Sequence, residues 1–259
     1  MPCNVSRPPL SRLLLCLLAL YLGAATLPAA AATPAGECVV LLHGLGRTSS
    51  SMESLEEALR EAGYRTANID YPSRKADIEA LAQQVVPAGL RQCREQGARR
   101  IHFVTHSLGG ILIRFYLSRQ QLPELGRVVM LSPPNRGSEV ADELHDNPLY
   151  RWINGPAGQQ LGTGPDALPN RLGPVDYPVG VITGDKGEIW DHWFSGMIPG
   201  KDDGKVSIAR ARLEGMRDFL VVHRSHTYIM KAPEVIQQVL HFLREGRFCH
   251  GDGCGESSR

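Results

Sequence analysis

The chain has 259 residues, with 28 Lys plus Arg against 27 Asp plus Glu and a formal charge of +1. That balance leaves no electrostatic footprint for nucleic acid or for an acidic surface. Hydrophobic residues make up 42% of the chain, which suits a globular fold, and the length allows one large domain once a leader is set aside.

The leader comes first. Arg7 and Arg12 precede an apolar run over residues 13–22, and four alanines follow at 29–32. Charged, apolar, then small is the order of a secretory signal, and the run is short for a membrane span. Residues 1–32 are therefore read as a signal peptide cleaved near Ala30 to Ala32. Residues 33–259 are the mature domain of an exported protein, periplasmic or secreted. Cys3 and Cys16 fall inside the leader, so four cysteines remain: Cys38, Cys93, Cys249 and Cys254. An even number in an exported chain predicts disulfides, with three pairings open. Cys249 and Cys254 are close enough to close a small C-terminal loop. Cys38 opens one strand and Cys93 closes the helix before a neighbouring strand, which suggests that both lie at the lower edge of one sheet.

Residues 39–42 form a short apolar strand that runs into His43-Gly44-Leu45-Gly46. A helix follows, with Ser50 and Glu53 at capping-box spacing, Met52, Leu55, Leu59 and Ala62 on its inner face, and Gly63 as its stop. Residues 64–71 are a second strand, ended by Pro72. Residues 77–96 are helical, with Ile78, Leu81 and Val85 inward and a kink expected at Pro87. The apolar run 101–104 is a third strand. It enters Thr105-His106-Ser107-Leu108-Gly109-Gly110, after which Leu108, Ile111, Leu112 and Phe115 recur at helical spacing. Residues 127–131 are a fourth strand, ending in Ser132-Pro133-Pro134-Asn135-Arg136-Gly137-Ser138. Strands alternating with helices at these lengths predict an α/β fold: a mostly parallel sheet with helices on both faces. Ligands in such sheets sit outside the carboxyl ends of the strands.

The alternation breaks over residues 139–178, which mix Leu144, Leu149, Tyr150, Trp152 and Ile153 with polar residues before a Gly- and Pro-rich stretch. Residues 179–183 resume the sheet. A second excursion over 186–202 carries Trp190 and Trp193. All three tryptophans thus fall in two insertions at the edge where ligands bind, and they are read as substrate-binding residues lining an acyl pocket or its rim. Residues 201–206 are a polar turn, 219–222 the last strand, and a final helix from Pro233 buries Ile236, Val239, Leu240 and Leu243.

A serine on a tight turn between a strand and a helix is placed as a nucleophile, its hydroxyl lifted clear of the sheet. Gly109 allows close approach of strand and helix. The usual turn opens with Gly where Thr105 stands, so the motif is one residue short. A serine hydroxyl needs a base, and the base an orienting carboxylate. The order Ser, acid, His offers Ser107, then Asp185, Asp202 or Asp203, then His223 or His226. His226 lies in a short loop between the last strand and the last helix, from which a base reaches the serine. Cys249, His250 and Cys254 lack a matching second pair for a metal, and no cofactor or metal is predicted.

These motifs are similar to those of α/β-hydrolase lipases and esterases, in plan the small secreted bacterial lipases. The resemblance runs over residues 39–244 and rests on His43-Gly44-Leu45-Gly46, Thr105-His106-Ser107-Leu108-Gly109-Gly110, Asp203-Gly204-Lys205-Val206 and His226. Those lipases place an acid at the start of such a turn about 23 residues before the histidine, which implies Asp203 rather than Asp185. The resemblance also implies an oxyanion hole from the N–H of Leu45, alongside the N–H of Leu108 that follows the nucleophile. The expected activity is cleavage of carboxylic esters, lipid or acyl, through an acyl-enzyme. Transient contact with a lipid interface, a monomeric state and no nucleic-acid partner complete the expectation. An acyltransferase would use the same acyl-enzyme, and a non-catalytic binding or chaperone protein would share only the fold.

Overall fold

The computed structural model describes Met1, residues 34–187, Ile198 and residues 200–251. Six strands form one sheet: β1 (Glu37–Leu42), β2 (Arg65–Ile69), β3 (Arg100–His106), β4 (Leu125–Leu131), β5 (Val179–Gly184) and β6 (Asp218–Val222). Their order is β2-β1-β3-β4-β5-β6, and every neighbouring pair is parallel. Parallel strands need crossovers, and these are α1 (Glu53–Glu61), α2 (Ile78–Glu95) and α3 (Leu108–Leu117) between the first four strands. Three helices, α4 (Glu139–Glu143), α5 (Pro148–Gln159) and α6 (Leu168–Arg171), fill the first insertion. The one-turn α7 (Ile208–Ala211) and α8 (Pro233–Glu245) are the remaining α-helices among the described residues.

The strands are buried on both faces, so they read as continuous apolar runs. Val40, Leu42, Phe103, Val128 and Val181 face α2 and α3. Val39, Leu41, Val104, Val129 and Ile182 face α1 and α8. A disulfide between Cys38 and Cys93 ties the start of β1 to the end of α2, both sulfurs fully buried. This is the pairing the strand and helix placement suggested. Cys254, the second member of the expected Cys249–Cys254 pairing, lies outside the described residues.

One local expectation is corrected. Ser50 caps nothing: residues Ser49–Met52 form a 3-10 turn, and α1 starts at Glu53 with no side-chain cap. Tertiary bonds win there, because Asp70 accepts from the Ser49 N–H and Asn68 donates to the Ser49 carbonyl. Pro87 does not interrupt α2, which runs on to Glu95. Packing of Val85, Val86 and Leu90 against the sheet offsets the lost backbone bond.

Candidate active site

Ser107 stands between β3 and α3 with φ 50° and ψ −118°. A non-glycine residue in this region is strained, and the surroundings hold it there. Its N–H donates to the Leu131 carbonyl at 2.9 Å, and its carbonyl accepts from Gly110 N–H at 2.9 Å. Gly109 is obligatory: a Cβ there would lie 2.6 Å from the Leu42 carbonyl oxygen. A Cβ at Gly110 would crowd Pro133 Cβ at 3.1 Å but sit in ordinary contact, 3.5 Å, with the Thr105 hydroxyl.

His226 arrives from the loop after β6 and is buried. Its Nε2 lies 3.0 Å from Ser107 Oγ and its Nδ1 lies 3.0 Å from Asp203 Oδ2. The His226 backbone N–H also donates to the Asp203 carbonyl at 2.8 Å. A second imidazole braces this loop: His106 Nε2–H donates to the His226 carbonyl at 3.0 Å. Burial, and then the neighbouring His226, push the His106 pKa well below the usual imidazole value, so it stays neutral as a donor.

Asp203 is fully buried in a tight turn closed by the Asp202–Ser207 bridge. Its Oδ1 accepts from the N–H groups of Lys205 (3.1 Å) and Val206 (2.9 Å). Burial alone would raise its pKa. The charge and hydrogen bond of His226, with the surrounding donors, outweigh that and hold the carboxyl below its usual range. Ser138 fastens the turn to the loop after β4, donating to the Lys205 carbonyl at 2.8 Å. Asp185, the other candidate acid, instead accepts from His223 Nδ1 at 2.8 Å, and that imidazole is mostly exposed.

The His43-Gly44 turn packs directly on the serine turn. A Cβ at Gly44 would stand 2.7 Å from His106 Nδ1 and 3.2 Å from Ser107 Cβ, so only glycine permits the contact. His43 is buried, stacked on Tyr71 at 4.0 Å, and accepts from the Tyr71 N–H. It braces the turn.

Above Ser107 and His226 opens a cavity of about 390 Å³. Leu45 lines it beside the serine, and the far walls are largely apolar: Val140, Ala141, Leu144, Leu149, Tyr150 and Ile153. These come from α4, α5 and the loop between them. Trp152 is not part of that wall. It is 81% exposed on the outer side of α5, while its neighbours Leu149, Tyr150 and Ile153 turn to the cavity. At about 100° per residue Leu149, Ile153 and Tyr150 fall within one arc of about 100°, and Trp152 lies about 60° beyond Leu149, outside that arc. Trp190 and Trp193 lie outside the described residues. The sequence reading missed the wall residues of α4 and the buried Ser132. Only the spacing of Val140, Ala141 and Leu144 signalled them. Among the described residues no group of three or more His, Cys, Asp or Glu is placed to hold a metal ion.

A six-stranded parallel sheet carrying a serine on a strained strand-to-helix turn defines a class of architecture that comparison with known proteins identifies. Residues 39–255 match the model of the Alpha/beta hydrolase family, and the chain belongs to that family. A triacylglycerol lipase from Pseudomonas fragi is 33% identical over 114 residues, which are 41% of this chain and 37% of that protein. The match therefore spans little more than a third of that relative's length. Among solved structures, the mature form of the Bacillus licheniformis lipase BlEst2 superposes with a TM-score of 0.64 at 23% identity, covering 82% of this chain and 93% of that one. The phospholipase PlaB from Legionella pneumophila gives 0.62 at 18% identity, with 80% and 57% covered.

Proposed function

We propose that this protein is a carboxylic-ester hydrolase acting on lipid or acyl esters through an acyl-enzyme. One observation carries the reading: the hydrogen-bonded chain Ser107–His226–Asp203 lies at the floor of a large apolar cavity. Ser107 attacks the ester carbonyl while His226 takes its proton. Asp203 fixes the imidazole with Nδ1–H toward the carboxylate and stabilises the imidazolium. The N–H groups of Leu108 and Leu45 receive the oxyanion, at the start of α3 and in the turn packed beside it. His226 then returns the proton to the leaving alcohol, and water repeats the sequence to free the acid.

The substrate class follows from the cavity. Its apolar walls match an acyl chain, and each methylene buried there contributes about 0.8 kcal/mol. The lipase and phospholipase names of the relatives point the same way. Trp190 and Trp193, three residues apart in the second insertion, are proposed as substrate-binding residues on the sequence argument alone. Export, with residues 1–32 as a signal peptide, is supported by the buried Cys38–Cys93 disulfide, since such bonds persist in oxidising compartments.

Purified protein is expected to react with a fluorophosphonate probe and to hydrolyse p-nitrophenyl esters. Ser107→Ala is expected to fold, to lose probe labelling, and to lose roughly 10³-fold or more in turnover. A folded Ser107→Ala variant with near-native turnover would overturn the reading.

A further inference from the structure

Ser132, which follows β4, shares with Ser107 a positive φ, here 48°, and among the described non-glycine residues only these two have one. It is entirely buried, and its N–H donates to the Ile182 carbonyl of β5 at 2.7 Å. A Cβ in this backbone state is strained, where glycine would be at ease. The hydroxyl adds a second penalty, because Oγ completes no hydrogen bond of standard geometry. Two penalties at one buried position are the mark of a residue kept for what its side chain does.

The surroundings show what that is. Ser132 is bonded to β5 two residues before Gly184, and a Cβ at Gly184 would lie 3.0 Å from the Asp203 Cβ. Ser132 and Asp203 therefore converge on the same strand end. The Ser132 hydroxyl is among the groups that help hold the Asp203 carboxyl below its usual range, although its Oγ makes no hydrogen bond within standard limits. The N–H groups of Lys205 and Val206 hold Oδ1, and His226 holds Oδ2. A carboxylate has about four acceptor positions, so one remains open to a donor from β4.

We propose that Ser132 is a positioning residue for the acid: its hydroxyl donates to the Asp203 carboxylate and fixes the plane in which that carboxylate meets His226. The inference rests on reading Ser107, His226 and Asp203 as a triad. No proton leaves Ser132. The hydroxyl bond shortens as the imidazolium forms and the carboxylate charge is drawn on most strongly, as catalytic hydrogen bonds that are long in the free enzyme commonly do.

Ser132→Gly separates strain from function, because it removes the hydroxyl and relieves the backbone at once. It is expected to melt at a higher temperature than the parent. Turnover of a short soluble ester should nonetheless fall roughly tenfold, as for a lost hydrogen bond to a charged group, with KM unchanged. The acid limb of its pH–kcat/KM profile should move to higher pH, since a carboxylate short of one donor holds the imidazolium proton more tightly. Ser132→Ala should show the same kinetic change without the gain in melting temperature. A stabilised Ser132→Gly with parental kcat and pH profile would overturn the inference and leave the triad standing. Joint loss of stability and activity with an unmoved pH profile would overturn it too, by assigning Ser132 a structural role. Persistence of activity in Ser107→Ala would instead remove the reading beneath it.

Discussion

Of the aspartates that follow β5, Asp203 and Asp185 each hold one of the two candidate histidines. Asp203 holds the buried His226, and Asp185 holds the exposed His223. Sequence order allows either as the acid, and chemistry gives them the same carboxylate. Burial separates them: Asp203 is wholly enclosed and gripped by two backbone N–H groups, so its charge and orientation are fixed. Asp203→Asn should cost on the order of 10⁴ in kcat, since an amide favours the wrong imidazole tautomer. Asp185→Asn should change kcat by no more than a few-fold, because it perturbs a solvated surface pair. Steady-state kinetics on both folded variants will check this, and the reverse ranking would move the acid to Asp185.

At the scale of elements, the proposed activity makes α4 and α5, which wall the cavity, the elements that select the substrate. Their apolar residues do not repeat as a sheet-covering helix would; they turn toward a cavity. Ala141 is a small side chain in that wall and is buried. Ala141→Phe is expected to fill part of the cavity. It should lower kcat/KM for long-chain esters at least tenfold relative to acetyl esters, a gap of about 1.4 kcal/mol and thus roughly two methylene contacts. A uniform loss across chain lengths would show that this wall does not hold the acyl chain. Trp152→Ser, on the outer side of α5, should leave the melting temperature and the acetyl-ester rate close to parental, as surface substitutions usually change stability by no more than about 0.5 kcal/mol.

The whole molecule is tied by one described covalent bond and guarded by buried imidazoles. The Cys38–Cys93 bridge closes a separation of 55 residues. By the loop-entropy account such a bridge contributes about 4 kcal/mol. Cys38→Ala with Cys93→Ala, or reduction, should therefore lower the denaturation midpoint clearly while the folded fraction keeps its activity. His43, His102 and His106 are buried, and burial is the leading cause that lowers each pKa from 6.5. Being depressed, these pKa values leave the folded imidazoles neutral where the unfolded chain takes up protons. Their contribution is complete above 6.5 and is lost as pH falls from 6.5 through the folded values. Asp203, also depressed, acts in a lower window: its contribution is present above 3.8 and is lost below it. Thermal melts should be flat just above neutrality and should drop by about pH 5. His106→Gln should show a shallower drop, because one of the three imidazoles is gone.

The sequence by itself determined the parallel α/β architecture, because strands buried on both faces must be continuous apolar runs and the helices between them must carry one apolar face. It also marked Ser107, because a serine between such a strand and such a helix has few other places to be. His226 and Asp203 were legible only as members of short sets, ranked by chain order and by a resemblance in spacing. Tertiary structure brings His226 and Asp203 into one hydrogen-bonded chain with Ser107, and a hydrogen bond across 119 residues, as between His226 and Ser107, leaves no local pattern. The same reason hid the role of Ser132, whose strain is a property of backbone angles. It also misplaced Trp152: aromatic content says that a side chain will seek cover or contact, but the rotation of one helix against the sheet decides which neighbour faces the cavity and which faces water.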